Sequence, residues 1–267
     1  MNRSFVSLLV GLCLTLLFSG GIRAQLAGDV EPAVSLSRWQ PTVLVDCPTA
    51  GTLPRGTYFA VMRAYPNGGI LGRTAIGFSN RFMIGISYGA EAILAESEPN
   101  YNPRVEFEIK LSLIDEGLAW PAIAFGFCSQ GYGSWDDHLD RYAFKSKGFY
   151  AAGSKSYRLL QWTCGVHGGV NYSTETLDDD ENLDFFIGFD TYLNDKVGLA
   201  LEYDFATNDN KDGTTRYGKG NGYLNASIQW IYSSNLVLEV LLKNLTNNRK
   251  ESNDIWRGLR ITYVDHF

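Results

Sequence analysis

The chain alternates over long stretches, and this constrains its fold more than any other feature. Val105, Phe107, Ile109, Leu111 and Leu113 take every second position, with Glu106, Glu108, Lys110 and Ser112 between them. Val197, Leu199, Leu201, Tyr203 and Phe205 repeat the pattern, as do Leu224, Ala226, Ile228, Trp230 and Tyr232. Successive side chains of a strand point to opposite faces, so each segment has one apolar face and one polar or small face. Twelve strands are expected, at roughly 56–65, 70–79, 81–90, 103–114, 119–128, 142–153, 158–172, 183–192, 196–206, 221–232, 235–243 and 256–267. Most reach ten residues. That exceeds the five or six usual in soluble sheets and matches the roughly 9–11 needed to cross a bilayer at a tilt.

The connections alternate in length. Short ones fall at Ser79-Asn80, Asp115-Glu116-Gly117, Ser154-Lys155-Ser156, Asn194-Asp195 and Ser233-Ser234-Asn235, and long ones at 91–102, 129–141, 173–182, 207–220 and 244–255. Outer-membrane barrels have tight periplasmic turns and longer extracellular loops. The spacing therefore predicts an all-β protein, a transmembrane antiparallel up-and-down β-barrel of about 12 strands in the bacterial outer membrane. The hairpin around Pro66-Asn67-Gly68-Gly69 is the one short connection on the long-loop side. Rings near strand ends, among them Tyr88, Tyr142, Tyr150, Tyr223, Trp230 and Tyr263, are expected in the interfacial girdles. The last strand carries Leu259, Ile261, Tyr263 and Phe267 in one phase. A terminal Phe closing such a strand resembles the signal read by the outer-membrane assembly machinery, an expected partner alongside membrane lipid and lipopolysaccharide.

The first 24 residues read as a signal peptide: Arg3, an apolar run from Phe5 to Phe18, then Ser19-Gly20-Gly21 and Ala24 before Gln25. The run is shorter than the roughly 20 residues that span a bilayer. Cleavage removes Arg3 and Arg23 and takes the net charge from −6 to −8. Residues 25–54, with Pro32, Pro41, Pro48 and Pro54, form an N-terminal extension or a plug, and 55–267 the barrel. Only 19% of the chain is charged, 13% is aromatic, and no Lys/Arg run appears, which argues against nucleic acid as a partner. Cys47, Cys128 and Cys164 remain after cleavage, an odd number that cannot form a complete disulfide framework.

A more particular pattern lies in Leu113-Ile114-Asp115-Glu116-Gly117, Trp120-Pro121-Ala122-Ile123-Ala124-Phe125-Gly126 and Ser146-Lys147-Gly148-Phe149-Tyr150-Ala151. It is similar to the YjbH-type outer-membrane barrels and their small relatives, over about residues 70–155. The resemblance implies a link to surface exopolysaccharide, and it brings no catalytic residues.

The polar phase of the strands defines a candidate lumen lining: Arg73, Arg81, Glu106, Glu108, Lys110, Lys145, Lys147, His167, Asp184, Asp190, Glu202, Asp204, Glu239, Lys243 and Arg260. Both signs are present, so pairing across a modest bore is expected, and no ion preference follows. His167 lies in line with Gly165 and Gly169, with Asp184 and Asp190 as potential partners on the next strand. No G-x-S-x-G, HExxH, P-loop or dinucleotide motif accompanies it. The run Glu175 to Glu181 is read as a solvated surface loop; it lacks the spaced ligands of a calcium loop. Asn208, Asn210, Asp212 and Gly213 come closer to that spacing but miss its leading Asp and closing Glu. No cofactor or metal is expected. The expectation is a non-enzymatic barrel with a structural or transport role, touching polysaccharide export. The alternatives are a small passive porin and a lipid- or glycan-modifying enzyme using His167.

Overall fold

The computed structural model describes residues 40–159, 162–211, 218–250 and 255–267. The expected signal peptide, 1–24, and residues 25–39 of the expected extension lie outside them. The strands are β1 (Thr57–Tyr65), β2 (Gly69–Ser79), β3 (Phe82–Glu91), β4 (Asn100–Tyr101), β5 (Glu106–Ile114), β6 (Ala122–Cys128), β7 (Tyr132–Asp136), β8 (Arg141–Phe144), β9 (Gly148–Leu159), β10 (Trp162–Tyr172), β11 (Asp184–Tyr192), β12 (Val197–Asp204), β13 (Tyr223–Ile231), β14 (Leu236–Lys243) and β15 (Trp256–His266). All but the short β4, β7 and β8 build the wall. Each wall strand pairs antiparallel with its neighbours in the chain, and β1 pairs with both β2 and β15. The sheet is therefore a closed twelve-stranded up-and-down barrel, with no helix among the described residues.

Closure and alternation dress the two faces differently. Ile84, Ile86, Phe107, Ile109, Phe125, Ile228, Leu259 and Ile261 are exposed on the outside. Glu106, Glu108, Lys110, Glu202, Glu239 and Arg260 are buried inside. An apolar outer band around a polar interior is the surface of an outer-membrane barrel, and lipid is its solvent. Tyr88, Trp230 and Tyr263 stand on the outer face, but Tyr142, Tyr150 and Tyr223 are buried and turned inward, contrary to the girdle expected for them.

Several boundaries differ from the sequence expectation; the expected strand 142–153, for one, is divided between β8 and β9, with 145–147 in neither. The tight turn between β2 and β3 is Asn80-Arg81, one residue later than expected. The turn expected at Ser154-Lys155-Ser156 is strand instead, because β9 runs on to Leu159, which pairs with Trp162. Ser and Lys there suggested a turn, yet Ser154 and Ser156 lie in the inward phase of the strand, where polar groups belong.

Two segments occupy the barrel's interior. Residues 40–53 turn back on themselves, with Leu44 N–H donating to Cys47 O (2.9 Å) and Thr49 N–H to Thr42 O (3.2 Å). This inner loop rejoins the wall at the end of the barrel that holds the C-terminus, where Gly56 N–H donates to Gly77 O (2.9 Å) and Gly56 O accepts from Phe267 N–H (3.0 Å). Gly77 is small by necessity, since a Cβ there would run into the carbonyl oxygens of Leu53 and Pro54. From the opposite end, the connection 129–147 folds inward as the β7–β8 hairpin rather than standing out as a loop.

Deeper in the wall, His167 links three adjacent strands. Its Nδ1 meets Ser154 Oγ of β9 at 2.8 Å and its Nε2 meets Asp190 Oδ1 of β11 at 2.6 Å. Gly165 leaves room for this bridge, because a Cβ there would press on both the Asp190 carboxylate and the imidazole. Gly165→Ala is therefore expected to strand buried polar groups and to lower stability by about 1–3 kcal/mol. Urea unfolding of the refolded barrel in detergent measures this; an unchanged midpoint contradicts the assigned contact.

Candidate functional site in the barrel lumen

The inner loop is held by wall side chains of both signs. Glu202 on β12 accepts the amides of Val45 (2.9 Å), Asp46 (3.0 Å) and Cys47 (2.9 Å), with Asn225 Nδ2 as a fourth donor at 2.8 Å. Three successive amides turned to one point make a small anion nest, and the tight bend at Leu44–Cys47 creates it. Lys110 on β5 does the converse, donating to the carbonyls of Thr42 (2.6 Å), Gly51 (3.0 Å) and Thr49 (3.1 Å). Arg260 donates to Leu44 O (2.6 Å) and Val45 O (3.0 Å) while its Nε holds Glu239 at 2.6 Å. Asp46 at the tip pairs with Arg63 (2.8 Å) and Lys243 (2.5 Å). Burial alone would raise the Asp46 pKa; the charges of Lys243 and Arg63 overcome it and hold the carboxyl well below its usual range. Burial and the neighbouring Glu202 push the Cys47 thiol well up, so it stays an inert thiol.

The inward hairpin meets the loop tip from the other side. The Arg63 guanidinium lies 4.3 Å over the Tyr132 ring. Lys243 Nζ lies 3.9 Å from the Phe144 ring centre and 4.7 Å from that of Tyr132. Phe144 in turn packs edge-on against Tyr223 (5.0 Å) and Trp256 (4.9 Å). The two cations that grip Asp46 thus sit on aromatic faces, a favourable arrangement for a partly dehydrated charge.

The acidic loop after β10 anchors the hairpin. Arg141 Nη1 reaches Asp178 (2.7 Å) and Asp209 (2.8 Å), and Lys145 pairs with Asp178 at 2.7 Å. Glu175 accepts the amides of Tyr142 and Ser146, both at 3.0 Å. Glu175, Asp178 and Asp180 are each 3% exposed, so the expectation of a solvated run fails for these three. Asp179, beside Lys211, and Glu181 do point to solvent. Composition could not separate them, because the partners Arg141 and Lys145 are supplied by a distant part of the chain.

Most of the residues expected in the lumen lie there. Arg73 Nε holds Glu108 at 2.9 Å, Glu106 accepts the Tyr142 hydroxyl at 2.9 Å, and Lys147 pairs with Asp204 (2.5 Å) and Asp184 (3.5 Å). Lys145 and Lys147 reach the interior from the connection before β9, not from a strand as expected. Arg81 does not reach it. β3 begins at Phe82, so Arg81 belongs to the turn and pairs with Asp115 at the exposed rim (2.7 Å). Arg63 and Ser154 were not foreseen. In β1 both faces are largely apolar, so alternation marks no polar side for Arg63 to join.

Ser154, His167 and Asp190 stand in nucleophile, base and acid order. However, Ser154 Oγ accepts the Ala50 amide at 2.8 Å and is buried beneath the inner loop. The chain of bonds fastens the loop to the wall. Among the described residues, no group of three or more His, Cys, Asp or Glu is arranged to hold a metal ion. Between loop tip and hairpin lies a cavity of about 40 Å³, lined by Asp46, Gln130, Tyr132, Phe144, Tyr150 and Asn171 among others. That is room for a few waters.

Burial pushes the Glu175 carboxyl up to about 7 against the hydrogen bonds it accepts and the nearby Arg141. The folded form therefore favours the protonated acid. Its contribution is complete below the ordinary value of 4.5 and is lost as the pH rises through about 7. Hydrogen exchange at Tyr142 and Ser146, corrected for intrinsic rate, is expected to show protection falling over that window. Glu175→Gln should flatten the dependence; an equal slope in the variant would assign it elsewhere.

No family profile matches the chain, and no curated protein does either. Several solved structures resemble it. The KdgM porin is 10% identical over 79% of this chain and 99% of its own, with a TM-score of 0.48. An outer membrane channel from Pseudomonas putida F1 is 11% identical over 89% of this chain and 100% of its own, with a TM-score of 0.42. Outer membrane phospholipase A from Escherichia coli is 10% identical over 85% of this chain and 93% of its own, with a TM-score of 0.39. The closed antiparallel barrel of this chain rests on its own strand pairing.

Proposed function

We propose that this protein is a gated, non-enzymatic outer-membrane channel in which residues 40–53 are the plug and the β7–β8 hairpin is the lid. The observation that supports this reading is the polar character of the closure. The loop tip is held by an amide nest on Glu202, carbonyls on Lys110 and Arg260, and one carboxylate between Arg63 and Lys243. Water or a hydrated solute offers the same donors and acceptors, so these contacts can be exchanged without exposing a large apolar surface.

The YjbH-type resemblance of residues 70–155 associates the channel with surface polysaccharide, and export of such a polymer is the finer role we assign. Residues 1–24 would direct export of the chain itself. The last strand, with Phe267 stacked on Tyr58 (5.1 Å), is assigned to recognition by the assembly machinery. A passive porin is less well supported, because the lumen is occupied. An enzyme is less well supported too, because the Ser154 hydroxyl is capped.

Planar-bilayer recordings test the gate. The wild-type barrel is expected to stay mostly closed. Deletion of 40–52, and separately Asp46→Lys, which sets a third cation beside Arg63 and Lys243, should each raise the open fraction at least tenfold. Silence of both variants, each shown to refold by its heat-shifted mobility on gels, removes the channel reading.

A further inference from the structure

We propose that the lumen between plug and lid is a binding site for a carboxylated sugar, and that Asp46 fills its carboxylate subsite in the closed state. The inference deepens the channel reading and rests on it for its biological sense. Asp46 belongs to the mobile partner in that reading, whereas the groups that bind it, Arg63 and Lys243, belong to the fixed wall strands β1 and β14. Both cations are buried, at 4% exposure each, and Asp46 is the carboxylate they hold. Withdrawal of the loop leaves two cations seated on aromatic rings and facing an empty subsite of the right charge. Burying such a charge without a partner is costly, so a ligand carboxylate entering there is strongly favoured.

The adjoining cavity indicates that the rest of the ligand is a polyol. Asn171 projects inward from β10 and is 2% exposed, yet neither its Oδ1 nor its Nδ2 has a hydrogen-bond partner. The Tyr150 hydroxyl on the neighbouring β9 is likewise buried and unpaired. Both line the same cavity as Asp46 and the Tyr132 and Phe144 rings. Buried polar groups are nearly always satisfied, and an amide offering two donors and an acceptor suits a row of hydroxyls. A simple inorganic anion would use the cations but leave Asn171 idle. The cavity is too small for a sugar while the tip of the loop forms part of its wall, through Val43, Asp46 and Pro48. Ligand and plug therefore compete for one space, and ligand binding would hold the gate open.

Calorimetric titration of the detergent-refolded barrel tests this without relying on conductance. Glucuronate is the probe, with glucose and acetate as the sugar-only and carboxylate-only arms. Asp46→Asn, which removes the internal competitor but keeps both cations, is expected to bind glucuronate at least tenfold more tightly than wild type. Glucose and acetate should each bind at least tenfold more weakly than glucuronate. Adding Lys243→Gln should abolish binding, and adding Asn171→Ala should weaken glucuronate but leave acetate unchanged. Equal affinity of acetate and glucuronate would reduce the site to an anion subsite and overturn the sugar assignment. No binding to a correctly refolded Asp46→Asn barrel, or equal binding to wild type, overturns the proposal as a whole. Binding without conductance in the plug deletion falls on the channel reading, and conductance without binding falls on this one.

Discussion

A sheet in lipid must close its own hydrogen-bond ladder, because no water is present to satisfy a free edge. In this chain the last strand closes on the first, with β15 and β1 in register from Thr57 opposite His266 to Ala64 opposite Leu259. Once closed, period-2 alternation sends every second side chain inward. Eight strands enclose a bore that side chains alone can fill; twelve enclose more. Some wall charges do pair along the wall, as Arg73 does with Glu108 and Arg260 with Glu239. Others, Lys110 and Glu202 among them, bond instead to a segment that folds into the bore.

The same logic couples the inner loop and the hairpin. Arg63 and Lys243 contact Asp46 of the inner loop and the Tyr132 ring of the hairpin at once. Removing one partner of a buried ion pair typically costs about 3–5 kcal/mol, so neither segment can leave while the other keeps the cations dry. Wetting the hairpin side lowers that cost for the loop, and the reverse also holds. The opposite rim of the hairpin is fixed by Arg141 and Lys145 to the acidic loop, and Glu175 is the weak point there, a carboxylate buried against its own ionisation.

Alternation made the wall legible: strand length, the outward apolar phase and the inward charges of β5, β12 and β15 can all be read from spacing. What spacing cannot supply is direction for a segment outside the wall. Tyr142, Lys145 and Lys147 continue an alternating run and so resemble a strand, yet they belong to an inward fold whose partners, Glu175, Asp178 and Asp204, lie some thirty or more positions away. Arg81 keeps the inward phase by count but lies one residue beyond the strand, where phase has no meaning. Ser154 reads as a turn former because hydroxyls favour turns; its real neighbours, His167 and Ala50, come from another strand and from the inner loop. Each discrepancy arises where a residue's environment is set by long-range closure instead of by its immediate sequence.

The chemistry of the closure also carries a polarity. Glu202 is satisfied by amides, and Lys110 by carbonyls, which are neutral dipoles that water can replace. Asp46 is different, being a full charge set against two. In the gating proposed above, withdrawal of the inner loop would take one anion from Arg63 and Lys243, the carbonyl cage from Lys110 and the amide nest from Glu202. Arg260 would likewise lose the carbonyls of Leu44 and Val45 while it keeps Glu239. Fields inside a narrow, low-dielectric channel are focused rather than screened, so in that gating the exchange of partners changes the field that the bore presents.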